Sequence, residues 1–105
     1  MPTQRQIEQF TLAFHQVAVN RLRAHPEQLI KAVDVLNRWE AQGISGSGQV
    51  YRDAWRRMLG SGVDEIEKTV CIDSDSAATI RSMSPLGFVL SEEERMQIRR
   101  KAMAV

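Results

Sequence analysis

The sequence predicts an all-α fold, arranged as a compact bundle of five or six helices. Apolar residues recur at spacings of three and four, capping residues stand where such segments begin, and proline or glycine separates the segments. A chain of 105 residues has room for one hydrophobic core, so we expect a single helical domain over residues 1–105. The hydrophobic content of 43% and charged content of 26% are typical of a globular protein rather than a disordered one.

The first predicted helix covers residues 4–23 and has a clear start. Thr3 can act as the N-cap, with Gln6 placed to complete a capping box. The apolar stripe of this helix consists of Ile7, Phe10, Phe14, Val17 and Leu22. Leu12 and Val19 lie off that stripe, so the helix is apolar on more than one face. Either a partner covers the second face or the helix lies deep in a small bundle, and the second explanation is favoured.

The second predicted helix covers residues 26–42 and starts at Pro26, because proline has no amide hydrogen to leave unpaired in a first turn. Its inward stripe is Leu29, Ile30, Val33, Leu36 and Trp39. Gly43 is expected to end it in the left-handed conformation, with Ile44 folding back onto the last turn. Ser45–Gly48 is predicted to be a flexible connector, since the lysine and the preceding strand of a phosphate-binding loop are missing.

The third predicted helix covers residues 49–59, and Gly60 is expected to end it. Ser61 can cap the next, short helix, whose apolar face is Val63, Ile66 and Val70. A further short helix is predicted to begin at Asp73 or Ser74. The segment Val70–Ile72 could form a strand, but the sequence contains no second strand with which it could pair.

The last predicted helix covers residues 92–103 and follows a break at Ser84–Gly87. Ser91 and Glu94 have the spacing of a capping box, and acidic residues fill the first turn, where the helix dipole favours them. Basic residues occupy the last turns: Arg99, Arg100 and Lys101.

No residue pattern in the sequence points to catalysis. His15 and His25 do not have metal-ligand spacing, and Cys71 lies between apolar residues that suit a buried, inert thiol. The acidic clusters stand where helix starts favour them. We therefore expect no catalytic residue, no metal site and no cofactor, and a protein that is not an enzyme.

Charge and hydropathy restrict the kinds of partner and the cellular compartment that we expect for this protein. Residues 61–90 contain two Lys or Arg and five Asp or Glu, whereas the segments on either side are net basic. This distribution indicates an electrostatic interface or, more simply, the unevenness of a short chain. No apolar run approaches the roughly 20 residues that cross a bilayer, and the start of the chain lacks the apolar core of a signal peptide. We expect a cytoplasmic protein that does not insert into membranes.

A partner-binding patch is predicted on the third helix. Trp39 and Trp55 fit the inward stripes and are assigned to the core. Tyr51, Arg52, Arg56 and Arg57 form the candidate exposed patch, because tyrosine and arginine often anchor protein interfaces.

DNA binding is an alternative use of the same helix. A helix-turn-helix would place the arginine-rich third helix, or the last helix, against the phosphates. The junction at Gly60–Gly62 has a suitable length, but the helix after it carries Asp64, Glu65 and Glu67, which repel phosphates. The earlier junction, from Gly43 to Gly48, would make the third helix the reading helix, but it is long for a tight turn. An ordinary solvated helix face is favoured over a nucleic-acid site.

Two stretches carry a resemblance to known proteins. The first is His25-Pro26-Glu27-Gln28-Leu29, continuing to Arg38-Trp39-Glu40 and Gly43, and the second is Ser84-Pro85-Leu86-Gly87-Phe88-Val89-Leu90 followed by Ser91-Glu92-Glu93-Glu94-Arg95. They resemble segments of small uncharacterised all-helical bacterial proteins of the kind found in toxin–antitoxin-type gene pairs. The resemblance covers about a third of the chain and assigns no functional residue. The chain departs from many better-known antitoxins, which join a DNA-binding fold to a disordered, toxin-wrapping tail, because its own sequence is predicted to stay helical almost to Val105. We therefore expect that an antitoxin of this kind binds its toxin through a folded surface.

The leading functional hypothesis is a non-catalytic protein-interaction module, such as a bacterial antitoxin or inhibitor, that binds a partner protein through a helical face. One alternative is a small DNA-binding transcriptional regulator that uses an arginine-rich helix. Another is a homodimeric structural protein whose spare apolar face pairs with itself.

Overall fold

A computed structural model of the chain describes residues 1–43 and 48–104. Within these ranges the chain forms six α-helices and no β-strand. The helices are α1 (Gln4–Ala24), α2 (Leu29–Ala41), α3 (Gln49–Ser61), α4 (Val63–Val70), α5 (Asp75–Ser82) and α6 (Glu92–Met103), and a 3-10 turn at Pro26–Gln28 precedes α2. The predicted all-α bundle is confirmed.

Side-chain caps begin three of the helices, as predicted. The Thr3 hydroxyl accepts a hydrogen bond from the amide of Gln6, whose side chain accepts one from the amide of Thr3. Ser91 and Glu94 form the same reciprocal pair at the start of α6. The Ser74 hydroxyl accepts a hydrogen bond from an amide in the first turn of α5. Local sequence therefore determines where these helices begin.

The central helix is α1, which packs against α4, α5 and α6. Phe14, Val19 and Leu22 are buried in the core, whereas Val17 is 37% exposed. The predicted stripe was therefore wrong at Val17 and also at Ile7, which is 40% exposed, and Val19, predicted to lie off the stripe, is fully buried. The reason is that α1 contacts helices on more than one side, so its buried arc is wider than a single stripe. Leu12 is only partly buried, on the face that other helices leave open.

The second helical segment differs from its prediction at its start and in its inward stripe, where Ile30 was wrongly placed because it is 69% exposed. Proline begins a helical turn as expected, but the turn Pro26–Gln28 is 3-10, and the α-helix begins at Leu29. Gly43 has φ of +75°, the predicted left-handed conformation past the helix end. The predicted contact of Ile44 and most of the predicted Ser45–Gly48 connector lie outside the described residues.

The junction between α3 and α4 corrects two predictions. Gly60 does not end α3, which continues to Ser61, and it is Gly62 that turns the chain with φ of +109°. Gly62 also takes the N-cap position of α4, so Ser61 does not cap that helix. A glycine inside a helix costs about 1 kcal/mol relative to alanine, a cost that packing of α3 on its neighbours can offset.

One hydrophobic core joins the helices. Its buried members are Phe14, Ala18, Val19, Leu22, Ala32, Leu36, Trp55, Met58, Leu59, Ile66, Val70, Leu86, Val89 and Leu90. The last three come from the non-helical segment before α6, which closes the core beside α1. The radius of gyration is 13.5 Å, close to the roughly 13 Å expected of a compact domain of about 100 residues.

Candidate functional site

The four residues of the predicted patch on α3 point in different directions. Tyr51 is partly buried and borders a shallow depression with residues of α5. Arg52 is fully buried, and its Nη2 donates a hydrogen bond to Gln49 Oε1 at 2.9 Å. The prediction that Arg52 is exposed was therefore wrong. Helical periodicity places Arg52 on the same buried face of α3 as Trp55. The charged residues around Arg52 had indicated an exposed surface instead.

Arg56 is also engaged within the fold. Its Nη2 donates to Asn37 Oδ1 at 2.8 Å and forms an ion pair with Glu40 at 3.0 Å, so its side chain links α3 to α2. Of the patch residues, Arg57 is the one whose side chain is exposed. The structure does not bring the four residues together as one surface, and it leaves α3 with a single exposed arginine for contacting phosphates.

A buried polar cluster lies between α1 and the segment after α5. His15 is 3% exposed, and its Nδ1 lies 2.7 Å from the carbonyl of Thr11. A carbonyl only accepts hydrogen bonds, so Nδ1 carries the proton, and Nε2 accepts from the Ser84 hydroxyl at 2.8 Å. Burial lowers the pKa of His15 to about 4, so the ring is neutral. This arrangement holds His15 in a structural role.

Arg81 extends this cluster from α5. Arg81 is 3% exposed, and its Nη1 donates to the carbonyls of Val70 and Ile72 at 2.7 and 2.8 Å, at the end of α4 and just beyond it. Its Nε donates to the Thr11 hydroxyl at 3.1 Å. One side chain therefore ties α5 to α1 and satisfies carbonyls that the end of α4 leaves free. Burial lowers the pKa of Arg81, but an arginine remains charged at all ordinary pH values.

The other titratable residues singled out from the sequence are dispersed. Cys71 is partly buried, and burial raises the pKa of its thiol, which disfavours the reactive thiolate. His25 lies at the surface between α1 and the 3-10 turn, 3.4 Å from Glu27. In residues 1–43 and 48–104, no group of three or more His, Cys, Asp or Glu side chains has an arrangement that could hold a metal ion.

An open surface depression runs along α1 and α6, and we call it the α1–α6 groove. It consists of two adjoining depressions of about 470 and 460 Å³ that share Val17, Ile98 and Lys101. Its apolar lining residues are Leu12, Ala13, Val17, Ile98 and Ala102. Its polar lining residues are Gln9, Gln16, Asp73, Glu94, Gln97, Arg100 and Lys101.

The groove exists because α6 packs against one neighbour. Among the described residues, α6 makes its main helix contact with α1 and has no fully buried side chain. Arg95 anchors α6 outside the groove lining, with its guanidinium 5.6 Å from the centre of the Phe14 ring and a hydrogen bond to the Gly87 carbonyl. The side facing the groove is left open, with Ile98 partly buried at its base.

The acidic residues of the groove are paired within the molecule. Glu94 forms an ion pair with Arg21 at 2.5 Å, and the hydrogen bond from Arg21 lowers the pKa of Glu94 to about 2. Asp73 accepts two hydrogen bonds from Arg5, which lower the pKa of its carboxyl group. The remaining charges that line the groove are basic.

The sequence contained a partial signal for this groove. Leu12 lies off the apolar stripe of α1, and the same observation raised the possibility of a second covered face. Ile98 and Ala102 have a four-residue spacing in a mostly polar helix, a pattern that indicates an apolar side of α6. What the sequence did not indicate is that Val17 faces outward and joins them.

The chain matches no protein-family model, no curated protein and no solved structure. No helix in the described part of the chain is long and apolar enough to cross a membrane.

Proposed function

We propose that this chain is a non-catalytic protein-interaction module that binds a partner protein through the α1–α6 groove. The observation that carries the proposal is the combination of partly exposed apolar residues and polar side chains along one continuous seam. An apolar surface with a polar border is the usual composition of a protein interface. Ile30 and Val50 are more exposed than Val17, but neither lines the groove.

The proposed role is to restrain the partner by occupying its surface, as an antitoxin or inhibitor does. Two points support it. The resemblance in residues 25–43 and 84–95 is to helical proteins from toxin–antitoxin-type gene pairs, and a role of this kind needs a folded binding surface rather than a reactive group. The helix α1 supplies such a surface, because its buried side is fixed by the core while its groove side remains accessible.

The test is photocrosslinking in cells of the native host. A benzophenone amino acid replaces Gln16 or Gln97, which line the groove, and replaces Lys31 on α2 as the matched control. We expect one discrete adduct with another protein from the two groove positions and none from Lys31.

Four results contradict the proposal in different ways. Absence of an adduct at Gln16 and Gln97, or the same adducts at all three positions, shows that the groove is not a specific partner site. An adduct with twice the mass of the chain supports the homodimer instead. An adduct with nucleic acid supports the DNA-binding alternative.

A further inference from the structure

The charged side chains that line the α1–α6 groove differ in whether they are already paired within the molecule. Glu94 and Asp73 are each engaged by an arginine of α1. Arg100 and Lys101 are exposed and form no ion pair with any described residue. The groove therefore presents an apolar base beside two free cations, although it contains equal numbers of acidic and basic side chains.

The shape of the groove suits a helix. It follows the seam between two helices, and the residues of α1 that line it, from Gln9 to Val17, extend along about 12 Å of helix at 1.5 Å per residue. An amphipathic helix can lay its apolar side on such a seam, with anchors repeating every three or four residues. A docking strand would need an unpaired strand edge, and the described residues contain no strand.

From these observations we infer that the occupant of the groove is an amphipathic helix of a partner protein, with apolar anchors on one side and acidic residues along the flank that faces Arg100 and Lys101. This inference rests on the proposed function and specifies the partner. Opposite charges at the border of an apolar contact determine orientation and exclude unsuitable partners.

A second copy of this chain does not meet the same description. The acidic amphipathic helix of the chain is α4, which carries Asp64, Glu65 and Glu67. Its apolar side chains Ile66 and Val70 are fully buried in the core. Exchange of α4 between copies would therefore require the donor to unfold, so a separate partner fits the groove better.

The inference is tested with a displayed library of helical peptides. Each peptide of about 18 residues, long enough for marginal helicity, has leucines fixed at three- and four-residue spacings and flanking positions randomised among Glu, Gln and Lys. The library is selected on the full chain, on the double variant Arg100→Glu/Lys101→Glu, and on the control Lys31→Glu/Arg57→Glu. The control changes two exposed cations outside the groove, so the net charge of the two variants is equal.

We expect glutamate to be enriched at the flanks on the wild-type chain and on the control, and lysine on the groove variant. A synthetic Glu-flanked peptide from the selection is expected to bind the wild-type chain about tenfold more tightly than the groove variant at low ionic strength, with the difference shrinking as salt is added. Fluorescence anisotropy measures both affinities.

Several outcomes overturn the inference. These are no enrichment on the wild-type chain, lysine enrichment on it, identical flanks on the wild-type chain and the groove variant, and displacement of the selected peptide by a short duplex DNA. The photocrosslinking experiment does not depend on partner charge. If photocrosslinking gives a protein adduct but the selection shows no enrichment of glutamate, only the inference of an acidic helix is refuted. If glutamate is enriched but no adduct forms, the proposed function is refuted.

Discussion

On the side of α1 that faces α5, the polar side chains Thr11 and His15 are hydrogen-bonded to other parts of the fold. On the side that faces the α1–α6 groove, glutamines and partly exposed apolar residues line an open surface. The polar side chains on one side of α1 thus form hydrogen bonds within the fold, whereas the side chains on its other side are accessible to a binding partner. We therefore expect that stability and the proposed binding can be altered separately, because they would depend on different residues of α1.

The largest effect on stability is expected from Arg81→Leu on the buried side. The substitution leaves the carbonyls of Val70 and Ile72 without their donor, and loss of hydrogen bonds to a buried charged group costs about 3 kcal/mol or more. Urea unfolding measures the loss. Arg57→Leu, at an exposed site, is expected to change the free energy of unfolding by less than about 0.5 kcal/mol. Equal effects of the two substitutions would show that Arg81 does not hold α4, α5 and α1 together.

Acid is expected to destabilise the same side through His15. The pKa of His15 is about 4 in the folded protein, whereas that of an unperturbed histidine is 6.5. Between these values the unfolded chain binds more protons, so stability is complete above pH 6.5 and falls as the pH falls toward 4. The loss attributable to His15 reaches at most about 3 kcal/mol at roughly 1.36 kcal/mol per pKa unit.

This pH effect is measured as urea unfolding at pH 7 and pH 5. His15→Gln is expected to remove most of the dependence in this interval, because glutamine does not titrate, and to lower stability at pH 7. His25→Gln at an exposed site is expected to retain the wild-type dependence. If His15→Gln keeps the full slope, the slope belongs to carboxyl groups and not to the buried imidazole.

Local chemistry made much of the fold predictable. The capping boxes at Thr3 and Ser91 and the left-handed Gly43 depend on a few neighbouring residues, so the sequence identifies them directly. At the junction of α3 and α4, two glycines stand two residues apart and either one permits the turn. Tertiary packing decides in favour of Gly62, and no local rule distinguishes it from Gly60.

The candidate site was less predictable because it depends on which sides of a helix find neighbours. Arg52 and Arg56 are charged residues on a polar stretch, and only the packing of α3 shows that one is buried and the other bonded to α2. Val17 fits an apolar stripe, and only the positions of α4, α5 and α6 around α1 show that it faces outward. The groove is a property of two helices together, whereas sequence periodicity reports on one helix at a time.

The pair Val17 and Val19 provides an internal control for the two sides of α1. Val19→Ala removes two buried methyl groups and is expected to cost about 2 kcal/mol of unfolding free energy, whereas Val17→Ala is expected to cost less than about 0.5 kcal/mol. Binding of the Glu-flanked peptide should show the reverse order, with a loss of about fivefold for Val17→Ala and little change for folded Val19→Ala. Matched losses of stability at both positions would mean that Val17 belongs to the core and not to the groove.

The smallest expected effect, and the most specific one for the charge balance of the groove, comes from Glu94→Gln. Glutamine retains an oxygen that can accept the capping hydrogen bond from the Ser91 amide, but it removes the negative charge that Arg21 engages. Because Glu94 titrates near pH 2, that charge is present in the wild-type protein at every ordinary pH. The melting temperature should fall slightly at low salt and recover in high salt, since exposed ion pairs are screened.

Peptide affinity should change in the opposite direction, because the released Arg21 adds a cation beside the groove, and we expect the Glu-flanked peptide to bind about twofold more tightly. Glu92→Gln, in the same first turn but outside the groove lining, is the matched control and should leave affinity unchanged. Weaker binding by Glu94→Gln would show that Glu94 itself contacts the peptide and that pairing with Arg21 does not neutralise it.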